Sequence, residues 1–362
     1  MILEELRKRL SEVDRDLIRL VAARQQIIAE IGAHKIQNAV PTRDYERERE
    51  VLKGAHDQAR ELGLEPELAE GIMALLIRAS LTHQEQTRVA AQTSGAGKRV
   101  LIIGGAGKMG AWFAQFLSSQ GFAVEISDPS AQPSPFARIA DWRTGALEHD
   151  IIVVATPMQI AGDVLAELAT RRPRGLVLDI GSLKSPLRKG LEALVAVGCK
   201  VTSIHPMFGP DTRLLSGRHV VFCDLGVDQA TREARALFAS TMAEQHEMSV
   251  DDHDRLMAYV LGLSHALNLA FFTALAASGE LVPRLQKMSS TTFDEQLRVA
   301  SLVARDNPHL YFDIQTLNDF GAASLEALRA ATERIQRLVE SRDEAGFVEL
   351  MAAGRRYLET ST

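Results

Sequence analysis

The chain has 362 residues, 46% hydrophobic and 24% charged, enough for two or three domains with cores of their own, which excludes disorder as the dominant state. Lys plus Arg number 41 against 47 Asp plus Glu, a net charge of −6. That disfavours nucleic-acid and anionic-membrane partners, which require a basic face. Two cysteines, Cys199 and Cys223, make neither a disulfide framework nor a zinc site alone, so no metal is expected. The start, Met-Ile-Leu-Glu-Glu, lacks the basic region and cleavage site of a signal peptide, and the reading is a cytoplasmic protein with reduced thiols.

Residues 1–31 contain neither Gly nor Pro, and Leu3, Leu6, Leu10, Val13, Leu17, Leu20, Ile27 and Ile31 recur in steps of three and four with one gap. This predicts one long helix, reaching about Asn38, with a heptad-like seam. A second helix is expected from near Thr42 to Gly63, and a third from Pro66 to about Thr87. Three such helices enclose little core, so the first is expected to pair with another chain. The helical domain spans 1–90, and residues 91–98, small, polar and Gly-containing, form a linker.

Short apolar runs then alternate with helical segments: Arg99–Gly104, Ala123–Asp128, Asp150–Thr156, Gly175–Ile180, Lys200–His205 and His219–Cys223. This is the alternation of a doubly wound α/β sheet, a Rossmann-type domain over 99–227. From Asp228 to the end the pattern is helical, giving a third domain over 228–362. Within it, Leu256–Ala277 is uncharged for 22 residues, long enough to span a bilayer. Ser264, His265, Asn268 and Thr273 interrupt it, and burial at a subunit interface is the preferred reading.

The gap in the seam is Arg24. A buried guanidinium needs an anion. Lys35, 11 residues on, returns to within about 20° of the same face, about 16 Å away along the axis, so the two are placed to hold the ends of a small anion. Arg7 lies about 25 Å from Arg24 and serves such a site only from another protomer. The alternative is that all three are snorkelling surface residues. Asp44, Arg47 and Glu48 open the second helix, and Ser80 and Gln84 sit at i, i+4 on the third.

The pattern Leu6, Arg7, Leu10, Asp14, Arg24, Lys35, Pro41, Arg43, Asp44, Arg47, Glu48, Ser80, Gln84 resembles the all-helical chorismate mutase family along the whole domain. The resemblance implies an intertwined helical dimer in which Arg7 comes from the partner. It implies that Arg7, Arg24 and Arg47 hold the carboxylates of chorismate, that Lys35 and Gln84 hydrogen-bond the breaking ether oxygen, and that Asp44 and Glu48 order the hydroxyl end. Ser80 belongs to the same substrate-binding set.

The second constellation begins at Arg99, where a strand runs into Gly105, Gly107 and Gly110. A GxGxxG after a strand and before a helix is a dinucleotide-binding turn, with Lys108 and Met109 inside it. Asp128, 18 residues past Gly110, is placed for a ribose hydroxyl. No Arg or Lys follows it until Arg138, which favours NAD over NADP. Thr156, Ser182 and His205 end the following runs, where ligands of open α/β sheets bind. Neutral imidazole suits His205 to proton acceptance near pH 7.

Gly104–Gly110, then Asp179, Ser182 and Lys184, then His205–Asp211, resemble prephenate dehydrogenases over residues 99–360. The fusion order is that of the bifunctional family of tyrosine biosynthesis. The resemblance implies oxidative decarboxylation of prephenate to 4-hydroxyphenylpyruvate with NAD, His205 as base, Ser182 hydrogen-bonding it or the substrate, and a C-terminal dimerisation domain. His265 would line the substrate pocket, or be a core histidine. Arg298 would hold the substrate carboxylate in one register; another register places Asp294 there. A homodimer is implied, and tyrosine feedback, if it operates, acts within the dehydrogenase region. Three alternatives are open: an arogenate-preferring dehydrogenase, a non-catalytic mutase-like dimerisation or sensing module, and a generic hydroxyacid dehydrogenase fused to a helical dimeriser.

Overall fold

The structure, a computed structural model, describes residues 2–360. It divides into two compact units. The first holds the described residues through Thr156 with Val164–Ile180 and Leu191–Glu247, and the second holds Pro157–Asp163, Gly181–Gly190 and the described residues from Met248.

The first unit opens with three helices, α1 (Ile2–Gln37), α2 (Tyr45–Glu61) and α3 (Pro66–Ala90). Glu4 and Glu5 in the first turn of α1 and His34 and Lys35 in its last complement the helix dipole. The Asp44 carboxylate caps α2 by accepting from the Arg47 N–H at 3.0 Å, and Pro66 starts α3. Only Gly32 of α1 is buried. Leu6, Leu10, Val13, Leu17 and Leu20 are each more than half exposed, so the predicted seam has no cover within one chain.

β1 (Arg99–Ile103), α4 (Lys108–Ser119), β2 (Ala123–Ser127), β3 (Ala137–Ile139), β4 (Ile151–Val154), α5 (Met158–Arg171), β5 (Leu176–Asp179), α6 (Arg188–Ala196), β6 (Val201–Pro206), β7 (His219–Asp224), α7 (Asp228–Ala236) and β8 (Glu244–Ser249) come next along the chain. The sheet order is β3-β2-β1-β4-β5-β6-β7-β8. It is parallel from β3 to β6, and β7 pairs antiparallel to β6. Strands covered on both faces read as unbroken apolar runs, and Val100, Leu101, Ile102 and Ile103 of β1 are all buried, as is every residue of β4 and β5. β1 lies between β2 and β4, so the strand order reverses beside it and the turn after β1 opens at the crevice of the sheet.

The sequence places a helical domain from residue 228, but α7 packs on β5, β6 and β7, β8 extends the sheet, and the compact division falls after Glu247. The reason is compositional: β8 reads Glu-Gln-His-Glu-Met-Ser, a polar strand at the end of the sheet with no apolar run to mark it.

Glu85 of α3 is 3% exposed, and its carboxylate accepts the Leu215 N–H at 2.7 Å and the Met242 N–H at 2.5 Å. Burial pushes its carboxyl above the ordinary glutamate range, against the pull of those two donors. Beside it, Arg43 donates Nη1 to Ser216 Oγ at 2.6 Å. The helical region is thus tied to the segment 207–218 between β6 and β7.

In the second unit, α8 (Val250–Met257) passes through a π-helical turn, Ala258–Leu263, into α9 (Ser264–Ala277). α10 (Val282–Gln286), α11 (Thr291–Arg305), α12 (Pro308–Thr316), α13 (Gly321–Glu340) and α14 (Glu344–Glu359) complete it. By length and composition Val250–Ala277 is, among the described residues, the one stretch able to cross a membrane. Within one chain the stretch is not a buried core: Leu256, Tyr259, Val260 and Leu267 are about half exposed.

Replacing Glu85 by Ala leaves a buried N–H at Leu215 and a half-buried one at Met242 without acceptors, at about 1–3 kcal/mol each when buried, partly offset by removing a buried charge. A net loss of about 2 kcal/mol is expected in urea unfolding. Because the folded-state carboxyl titrates above its unfolded value, the advantage of the parent chain over Glu85→Ala should be largest in acid and shrink as pH rises through that raised value. A pH-independent difference would show that Glu85 does not titrate on folding.

Candidate active sites

In the helical region Arg24 of α1 donates Nη1 to Ser80 Oγ at 2.6 Å and to the Leu76 carbonyl at 3.2 Å, both on α3. Ser80 is buried and donates its own hydroxyl to the Leu76 carbonyl. One turn on, Gln84 packs against α1 so closely that a Cβ on Gly32 would sit 3.2 Å from its Cγ. Gln84 is 6% exposed, and its Oε1 is buried without a hydrogen-bond partner among the described residues. Lys35 donates Nζ to the Thr42 carbonyl at 2.7 Å. Arg24, Ser80 and Gln84 therefore share the α1–α3 interface. The Arg24 guanidinium there suits an anionic group, and the orphaned acceptor Gln84 Oε1 suits a donor such as a hydroxyl, which points to a ligand rather than to packing alone.

The Gly-rich turn is built by close backbone approach. Gly104 has φ +86, and a Cβ there would meet the Ala155 carbonyl oxygen at 2.6 Å; one on Gly110 would meet the Gly104 carbonyl oxygen at 2.2 Å. Gly105 is pressed on Ile126, 2.5 Å from a notional Cβ, and Gly107 caps α4 without a side chain. The start of α4, with Lys108 exposed and Met109 half-buried, presents free backbone N–H groups as a phosphate site requires. Asp128 accepts from the Ala106 N–H at 3.0 Å and the Ser130 N–H at 2.8 Å, which holds its carboxylate beside the turn. Thr156 Oγ1, at the end of β4, is buried without a partner among the described residues. A cradle only glycine fills, a carboxylate at its rim and an orphaned hydroxyl fit a dinucleotide.

Arg138 lies far from Asp128 in sequence, yet β3 brings it back. It donates to the carbonyls of Asp128 (3.0 Å), Ser130 and Gln132 (2.7 Å), so its guanidinium is occupied by the backbone of that loop.

His205 is the fifth residue of β6, 5% exposed, opposite Val221 of β7. The segment after it is held from three sides: Trp112 of α4 donates to the Thr212 carbonyl at 2.9 Å and packs on Phe208, while Arg43 and Glu85 hold Ser216 and Leu215.

In the second unit Asp254 is fully buried. It accepts from the N–H groups of Lys184 at 2.9 Å and Ser185 at 2.5 Å, from the Ser185 hydroxyl, and from His253 Nδ1 at 2.7 Å. Burial opposes its ionisation, but His253, the Ser185 hydroxyl and the two N–H donors outweigh that and hold the carboxyl below the ordinary aspartate range. Ser182, half-buried, lies two residues before this clasp. His265 stacks on Tyr311 with centroids 4.1 Å apart, its Nδ1 is buried without a partner among the described residues, and burial lowers its basicity against the pull of Asp306.

Comparison with known proteins matches all three parts in order. Chorismate mutase type II matches residues 6–85, the nucleotide-binding domain of prephenate dehydrogenase 113–244, and the prephenate dehydrogenase dimerisation domain 249–353. The T-proteins of Enterobacter agglomerans and Haemophilus influenzae are each 26% identical, over 96% of this chain and 90% of their own length. The chain belongs to the fused chorismate mutase and prephenate dehydrogenase family. It unites an isomerase and an oxidoreductase of tyrosine biosynthesis. The prephenate dehydrogenase of Aquifex aeolicus, solved with hydroxyphenyl propionate and NAD⁺, shares the fold of the dehydrogenase part: TM-score 0.54, 18% identity, 73% of this chain and 99% of that one.

Not every residue expected in the mutase site stands near its core. Arg47 is exposed and paired with Glu50 at 2.9 Å, Asp44 is engaged as the α2 cap, and Arg7 is exposed on the bare part of α1. Glu48 is clasped by Arg43 through two 2.9 Å bonds. In the dehydrogenase, Arg298 is exposed and paired with Glu295 at 2.9 Å. Sequence reasoning gave no role to Arg43, Glu85 or Asp254. Arg43 stands in the mutase pattern and Glu85 is adjacent to Gln84, but Asp254 is one of three acids, with Asp251 and Asp252, before an apolar stretch, and nothing local marks it.

Asp254→Asn exchanges a four-fold acceptor for an amide that must turn its NH₂ toward an N–H. A loss of about 2–3 kcal/mol is expected. The folded carboxyl of Asp254 titrates below its unfolded value, so its stabilisation is present above about pH 4 and disappears as pH falls through the lower folded value. Unfolding curves between acid and neutral pH should show the parent and variant converging in acid; parallel curves would contradict the assignment.

Proposed function

We propose that the α1–α3 interface is the chorismate site and that Gly105, Gly107, Lys108, Met109, Gly110, Asp128 and Thr156 hold NAD⁺ for oxidation of prephenate. The Arg24 guanidinium held on Ser80 in the α1–α3 interface, one turn from buried Gln84, carries the mutase reading. The rearrangement of chorismate breaks an ether C–O bond and forms a C–C bond within one molecule, so no nucleophile is required. Arg24, with Ser80 orienting it, takes one carboxylate, and Arg7 of a second copy the other. The Lys35 ammonium and the Gln84 NH₂ group donate to the ether oxygen as negative charge develops on it. Glu48, fixed by Arg43, and Asp44 order the hydroxyl end, and Arg47 joins the carboxylate set by leaving Glu50.

When bound, NAD⁺ supplies the hydride acceptor. His205 takes the proton of the ring hydroxyl, Ser182 orients that hydroxyl or the imidazole, and the ring becomes aromatic as CO₂ leaves. His265, its basicity lowered by burial, lines the side-chain end of the substrate, and Arg298 turns from Glu295 to the carboxylate. Asp128 favours NAD over NADP, because its carboxylate would repel a 2′-phosphate and Arg138 is already occupied. The bare seam of α1 and the exposed apolar residues of α8–α9 support a homodimer, and the protein acts in the cytoplasm. Arogenate is the alternative substrate of the same site.

With chorismate and NAD⁺ supplied together, chorismate loss and NADH appearance are followed in one assay. Lys35→Ala should lower chorismate loss by about 10²–10³-fold while NADH formation from added prephenate persists. His205→Asn should do the reverse, by about 10²–10⁴-fold. Chorismate loss without NADH in the parent chain would remove prephenate as the substrate and leave arogenate to be tried. A rate unchanged by Lys35→Ala would make the cationic seam structural.

A further inference from the structure

Outside both sites, three potential metal ligands converge on the surface of the sheet. His219 begins β7, and Glu244 and His246, two residues apart and so on one face, begin β8. His219 Nδ1 lies 3.0 Å from His246 Nε2 and 3.5 Å from Glu244 Oε2, which is 3.9 Å from His246 Nε2.

We propose that His219, Glu244 and His246 form a binding site for a divalent transition-metal ion of the zinc class. A point equidistant from three atoms with these separations lies about 2.0 Å from each, against 2.0–2.1 Å for Zn–N and 2.0–2.2 Å for Zn–O. The two imidazole nitrogens face one another at a distance that demands a proton or a cation between them, and the carboxylate oxygen adds negative charge on the third side. Two nitrogens and one oxygen, with no thiolate, select zinc, nickel or copper over calcium or magnesium, which take oxygen ligands. The ligands sit on neighbouring strands, and the Glu244 N–H is fixed at 2.8 Å on the Arg218 carbonyl, so little ordering is required on binding. All three side chains are about half exposed, which leaves the remaining coordination positions to water. An ion here cross-links β7 to β8. The separation of 25 positions from His219 to Glu244 matches no recognisable ligand spacing, which is why the sequence is silent about it.

The test uses the untagged full chain, stripped with chelator and titrated with Zn²⁺ by calorimetry, and with Co²⁺ by visible absorption. One equivalent should bind at micromolar metal, with Co²⁺ bands of nitrogen and oxygen ligation. Loss of even an outer-shell partner lowers metal affinity 10–100-fold, so His219→Ala/His246→Ala should weaken it at least about 100-fold and remove the Co²⁺ bands. Glu244→Gln should weaken it less. None of the three belongs to the proposed catalytic machinery, so both activities of the variants report that the chain is folded. Equal binding by parent and double variant would place the metal on other histidines and overturn the proposal, as would failure of the parent to bind at micromolar metal.

Discussion

The Glu85 carboxylate is the constraint on which the arrangement of the first unit turns. The backbone N–H groups of Leu215 and Met242 would lose their acceptor but for its two oxygens. A buried anion is costly, and here two backbone donors offset part of that cost. Arg43 adds a second tie, gripping Glu48 with two donors and Ser216 with a third. Both ties reach the segment just past His205. The helical region is thereby tied to the segment that follows β6, and the linker at 91–98 is not the only thing holding the two together.

The two proposed sites would hold anions by opposite means. In the nucleotide turn the work is done by backbone: side chains are absent at Gly104, Gly105 and Gly110 because a Cβ would overlap a neighbouring carbonyl or the Ile126 side chain. In the mutase domain it is done by long cationic side chains anchored at one end, Arg24 on Ser80 and Lys35 on the Thr42 carbonyl. The first would need no side chain to move. The second would exchange protein hydrogen bonds for ligand ones, which suits a substrate that must be bent into a reactive conformer.

The features legible in the residues alone were local. The apolar run of β1, the glycines after it and the seam of α1 are patterns within a dozen neighbours, and each names its element directly. The nucleotide turn was legible for the same reason. Asp254 and Glu85 were not, because their roles consist of accepting N–H groups 70 and 130 residues away. β8 was missed because a polar strand at the end of a sheet has neither an apolar run nor a period to announce it. Arg138 shows the converse error: ten residues of chain separate it from Asp128, but pairing of β3 with β2 erases the distance.

The π-helical turn at Ala258–Leu263 carries a consequence for lineage rather than for chemistry. A π turn takes up one more residue than a turn of the α-helix around it by widening locally. In an unbroken α-helix an extra residue would rotate everything beyond it by about 100°. The widened turn absorbs the extra residue, so α9 continues in phase and His265 faces Tyr311. A descendant one residue shorter here would close the turn to plain α-helix and still present its histidine to the tyrosine. The turn is therefore a place where relatives can differ in length without redirecting the side chains beyond it.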